Sequence, residues 1–215
     1  MAKKLSDIFG GIFAKGEEPF AITKPFKLIA GRTAADICGD FELKEETNAY
    51  LSGEPTPEQF VQRLFRAKLY SDSTQFLAYG LPKRHAVWWA CLCVRSVPAC
   101  CADEISAGAM QATETWVKDP TEANREAAMA AGIKHKFEMP GAPAAWTAMA
   151  AGWSAGATAT DDENGPGPQE YLTSHATSGA IILAASVDPD RAGKVSRKFL
   201  ETGVQIAQGG IQISS

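Results

Sequence analysis

Residues 83–97 read KRHAVWWACLCVRSV, and this stretch decides the fold class. Val87, Trp88, Trp89, Cys91 and Val94 leave little of a helical circumference polar, the pattern of a helix buried on most sides. Pro98 ends or kinks it, because proline has no N–H for the helical ladder. Downstream, residues 143–157 (PAAWTAMAAGWSAGA) place Trp146, Met149, Ala150 and Trp153 on one face. Alanine and glycine there predict close helix contact, with the two indoles filling what the alanines leave open.

Further helices follow on both sides. Thr33 can cap a short one, and Pro57 with Glu58 opens a clearer one to Lys68, with Phe60, Val61, Leu64 and Phe65 at helical spacing. A turn from Ser71 or Ser73 carries Phe76, Leu77 and Tyr79 to Gly80, and a second limb covers 102–118. Asp119-Pro120-Thr121-Glu122 starts a helix that Gly132 ends, and two more run over about 169–187 and 189–208. Residues 158–168, TATDDENGPGP, are a polar loop, and 19–31 an extended connector with room for one short strand. The expectation is an all-α fold, an irregular array of roughly eight to ten helices, with residues 1–32 an extended N-terminal arm and 33–215 a single helical domain.

The 215 residues are 45% hydrophobic and 21% charged, enough apolar content for a real core, which excludes disorder throughout. Net charge is −4, which argues against binding a polyanion by bulk charge. No apolar run approaches the roughly 18 residues of a membrane-spanning helix, and the lysine-led N-terminus lacks the apolar stretch of an export signal. Five cysteines, in close pairs at 91/93 and 100/101 plus Cys38, suit a reducing cytoplasm better than a disulfide framework. Residues 1–35 carry six basic and three acidic side chains, whereas 36–58 carry seven acidic and one basic. The basic arm either rests near its own acidic surface or serves an anionic partner.

Leu5, Ile8, Phe9, Ile12 and Phe13 form one apolar stripe, interrupted by Gly10 and Gly11, each costing about 1 kcal/mol of helix relative to alanine. Such a stripe needs something to pack on: its own domain, another protein or a membrane surface. Gly152-Trp153-Ser154-Ala155-Gly156 matches the nucleophile elbow of serine hydrolases, but that turn requires a strand before it and here AAWTAMAA precedes. Cys91 and Cys93 point to nearly opposite faces of a helix, so zinc ligation is unfavourable and buried thiols are expected. Asp161-Asp162-Glu163-Asn164 lacks the glycine and glutamate positions of a calcium loop, and His135 reads as a surface residue after a helix. The basic clusters Arg63/Arg66/Lys68 and Arg191/Lys194/Arg197/Lys198 read as the wet sides of amphipathic helices, with no nucleic-acid face. No cofactor or metal site emerges.

Leu81 to Cys91, LPKRHAVWWAC, resembles a bacterial family of unknown function whose members share an L-P-x-R-x-A-V-W-W-A-C core, an alanine-rich middle with tryptophan and a C-terminal helix pair. The likeness covers roughly residues 35–210. It implies gene neighbourhoods of type VI secretion, the contractile injection machinery, and brings no catalytic motif. The expected function is therefore a non-enzymatic cytoplasmic accessory, an adaptor or chaperone that binds a secretion component or effector. Partner contacts are expected at Leu5, Ile8, Phe9, Ile12, Phe13, Trp88 and Trp89. The alternative is an enzyme, a serine hydrolase at Ser154 or a thiol-dependent protein at Cys91/Cys93.

Overall fold

Helix starts follow from caps written in the sequence. Thr33 and Asp36 form a reciprocal capping box, the threonine hydroxyl accepting from the Asp36 amide at 3.1 Å and the carboxylate accepting from the Thr33 amide at 2.8 Å. Thr56 and Gln59 repeat it ahead of Pro57, and the Thr121 hydroxyl accepts from the Asn124 amide. The computed structural model describes residues 20–139, 141–154 and 171–213. Within them are ten α-helices and no strand: α1 (Ala34–Cys38), α2 (Glu45–Asn48), α3 (Pro57–Arg66), α4 (Tyr70–Gly80), α5 (Lys83–Arg95), α6 (Glu104–Lys118), α7 (Glu122–Glu138), α8 (Pro143–Gly152), α9 (Leu172–Ala185) and α10 (Ala192–Ala207).

The all-α expectation is met, and α5 is the buried helix that its sequence predicts: every side chain from Ala86 to Val94 is buried. Its companion is α9, whose inward residues are mostly Ala, Ser and Thr. Together they form the middle of the array, α4 and α10 packing on one side and α6, α7 and α8 on the other. Small residues let the backbones approach, and α7 and α8 meet through reciprocal glycines. A Cβ on Gly132 would lie 2.8 Å from Met149 Cγ, and one on Gly152 2.6 Å from Met129 Cβ.

That contact corrects the expected end of α7. Gly132 is not its stop but its point of closest approach to α8, and the helix runs six residues further to Glu138. His135 consequently lies inside the helix and fully buried, not at the surface.

The strand allowed for in 19–31 is also absent; a single 3₁₀ turn, Lys27–Ile29, stands there among the described residues. Side chains of α3 take the place of a neighbouring strand. Gln62 accepts from the Ile22 amide at 2.8 Å and donates to the Phe20 carbonyl at 3.2 Å, and Glu58 accepts from the Phe26 amide at 2.6 Å. Phe26 and Ile29 are core residues and Phe20 stacks on Phe65, so residues 20–32 pack onto the helices. Arg32 pairs with Asp40, joining this basic segment to the acidic one that follows it.

Two caps make stability acid-sensitive. Asp36 is held below the usual carboxylate range by hydrogen bonds from the Thr33 amide and hydroxyl, and Asp103 by those from the Ser106 hydroxyl and amide. A carboxyl group with a depressed folded-state pKa stabilises above its unfolded value, about 4, and loses that contribution as pH falls through the folded value. Thermal midpoints should decline below about pH 4 through these caps, a loss distinct from the one that half-buried His85, whose pKa burial lowers, causes as pH falls from about 7 to 5. Asp36→Asn/Asp103→Asn should start lower and decline less; parallel declines in melting curves would show that these caps are not the source.

Candidate functional site

Trp89 is fully buried, its indole N–H donating to the Phe199 carbonyl of α10 at 2.8 Å, and Trp88 is 7% exposed. The structure therefore puts both indoles in the core, where they hold α5 to its neighbours. Leu5, Ile8, Phe9, Ile12 and Phe13 lie outside the described residues, as do Asp161 to Asn164.

Ser154 follows the end of a helix, its amide donating to the Ala151 carbonyl at 3.1 Å. No strand precedes it, so the sharp strand-to-helix turn that exposes a hydrolase serine is not built here. Gly152, the first residue of that match, is accounted for by its contact with Met129. Cys91 and Cys93 are enclosed within α5, and burial pushes both thiols well above the ordinary cysteine range, away from the reactive thiolate. Burial likewise raises Cys38 to about 12 and Cys100 to about 11. No cluster of three possible metal ligands occurs among the described residues.

One polar constellation was invisible in the sequence. His135 Nε2 lies 2.7 Å from the Ser106 hydroxyl, which donates to Asp103 at 2.6 Å. With that hydroxyl proton engaged by the carboxylate, the imidazole is the donor to Ser106. The serine hydroxyl thus points its proton at the carboxylate and not at the imidazole, so the histidine does not serve as its base. The cluster is a buried clasp between the start of α6 and the end of α7.

The feature best suited to recognition is a cavity of about 140 Å³ where the segment after α5, the end of α9 and the start of α10 meet. Val97, Pro98, Ala184, Ala185, Val195 and Phe199 make it apolar. Arg191, Lys194 and Lys198 supply cations, and Asp188 is the one carboxylate among the described residues of the lining. Exposed Val187 on its lip and exposed Leu183 one turn earlier extend the apolar surface. Burial, with the neighbouring charges of Lys194 and Arg191, depresses the Lys198 ammonium below the usual lysine range, and Glu201 opposes this.

The sequence does contain half of this site. Positions 191, 194 and 198 share one helical face, whereas Arg197 is turned away to lie over the Phe65 ring and pair with Glu201. Reading all four as one wet face hid the distinction. The opposite wall, Ser96 to Pro98, comes from about a hundred residues earlier, and no local periodicity could reveal it. Arg63, from the other basic cluster, is a structural residue that donates to the Tyr50 and Ser52 carbonyls.

No curated protein and no solved structure matches the chain. A family model matches residues 60–207, from the first buried aromatic of α3 to the last residue of α10, and so spans the cavity and every helix that forms it. The chain belongs to that family, DUF6931, a family of unknown function.

Proposed function

We propose that this protein is a non-enzymatic cytoplasmic accessory of a bacterial type VI secretion system, an adaptor or chaperone that works by binding another protein. The observation that carries the binding reading is the apolar cavity bordered by Arg191, Lys194 and Lys198. It offers an anchor point for an apolar side chain and a positive field for an acidic neighbour, the usual division of labour at a small recognition site. The secretion assignment rests on the resemblance around Leu81 to Cys91. An enzymatic reading has less support: Ser154 lacks an elbow, and the Cys91 and Cys93 thiols are buried and protonated. The N-terminal stripe from Leu5 to Phe13 is a second candidate contact.

Affinity purification of the tagged full chain from a bacterium encoding it, followed by mass spectrometry, tests this. A type VI component should be retained in near-equal amount, lost with Arg191→Ala/Lys194→Ala and kept with Leu5→Asp/Phe9→Asp/Phe13→Asp. The reverse pattern would move docking to the stripe. Absence of any type VI component from the unaltered chain would end the secretion assignment.

A further inference from the structure

We propose that the cavity beside α10 captures the free C-terminal residue of a partner polypeptide ending in a branched aliphatic side chain. That side chain fills the apolar chamber, and the terminal carboxylate meets Arg191, Lys194 and Lys198. This deepens the partner-binding reading above and rests on it.

Size limits the apolar part. A cavity near 140 Å³ is close to the engineered cavity of about 150 Å³ that encloses a benzene molecule, so it has room for one Leu- or Ile-sized side chain. Lining chemistry limits the rest. The Ser96 hydroxyl donates its proton to the Cys93 carbonyl at 2.7 Å, so it has no donor left for a ligand.

Charge then fixes the polar part as an anion close to the apolar group. Arg191 and Lys194 are exposed beside the apolar lining and Lys198 is half-buried within it, so an anion attached to the entering side chain meets positive charge. A C-terminal residue satisfies this directly, because its carboxylate is bonded to the same Cα as its side chain. An internal segment would instead bring backbone N–H groups into walls whose sole carboxylate among the described residues is Asp188. Helix α10 adds to the field. Its first turn has no acidic residue and no side-chain cap, so the positive end of its dipole stands next to Arg191 and Lys194.

The test is fluorescence anisotropy with the full chain and labelled hexapeptide pools, randomised at the first five positions and ending in leucine. The free-acid pool should bind at least about tenfold more tightly than the same pool amidated, and than a free-acid pool ending in serine. Lys194→Ala should weaken the acid pool about threefold to tenfold and leave the amidated pool unchanged, and raising salt above about 0.15 M should narrow the gap. Equal binding of acid and amide would overturn capture of a terminus while leaving partner binding at this face intact. Binding of neither pool overturns the proposal, and so does 4-methylpentanoate competing as tightly as the peptide acid, which would assign the cavity to a small free acid. Failure of the secretion reading is seen separately, in the proteins that co-purify.

Discussion

Replacing Trp89 with alanine is expected to lower the unfolding free energy by about 4–5 kcal/mol, the upper end for deleting a large aromatic from a core. The indole is fully buried, and it crosses from the central helix α5 to α10, 110 residues later in the chain. Its N–H bonds to the Phe199 carbonyl, and its six-membered ring lies against Gly203, one turn further along α10. Truncation therefore removes a ring volume and the hydrogen bond that holds α10 in register. In a domain with some 5–15 kcal/mol in total, this is about a quarter or more of the stability, and the thermal midpoint should fall by roughly 10–15 °C. Trp89→Phe should lose less, about 2–3 kcal/mol, since an aromatic ring stays while the N–H and part of the ring volume are lost. Urea unfolding followed by circular dichroism measures both. A loss below about 2 kcal/mol for the alanine variant would mean that α5 and α10 hold together without the indole.

The reciprocal substitution probes the same contact from the other side. An added Cβ at Gly203 would lie 2.5 Å from Trp89 Cζ2 and 2.6 Å from Cε2, closer than such atoms can approach. Gly203→Ala should therefore cost about 3 kcal/mol, the cost of overpacking against a ring that has no room to move. On helix propensity alone the same change would stabilise by about 1 kcal/mol, so even the sign of the result discriminates. Gly108, in α6, has nothing within 4 Å of where its Cβ would stand, and Gly108→Ala should show that gain. The clash and the gain separate in a double-mutant cycle. With Trp89→Ala in place, Gly203→Ala should turn from destabilising to neutral or favourable, a coupling of more than about 2 kcal/mol; simple additivity would show that the two residues do not meet.

How legible the molecule was in its sequence differs from element to element for physical reasons. The run KRHAVWWACLCV announced a buried helix because its apolar residues cover most of a helical circumference, whatever they pack against. Thr33 and Pro57 announced helix starts because a cap or a first-turn proline acts within four residues of itself. Gly132 misled, since a glycine reads as a stop locally and is in fact the place where α8 comes too close for a side chain. His135 was misplaced for the same reason: its burial depends on Ser106 and on the true length of α7. The candidate site divides along this line. The helical face bearing Arg191, Lys194 and Lys198 is present in the spacing, but a cationic face becomes a recognition site only when an apolar wall stands opposite.

By itself, then, the sequence determined the all-α class, the buried helix α5 and the capped starts of α1, α3 and α7. Periodicity and capping are interactions within one or two turns, and they are complete in the local chain. Tertiary structure alone decided that Val97 and Pro98 face Phe199, that Arg197 turns away while Lys198 turns in, and that Trp89 finds Phe199 and Gly203. Those contacts join residues about a hundred positions apart. They are chosen by which set of helix faces fills space without voids or clashes, a condition on the whole array and not on any segment of it.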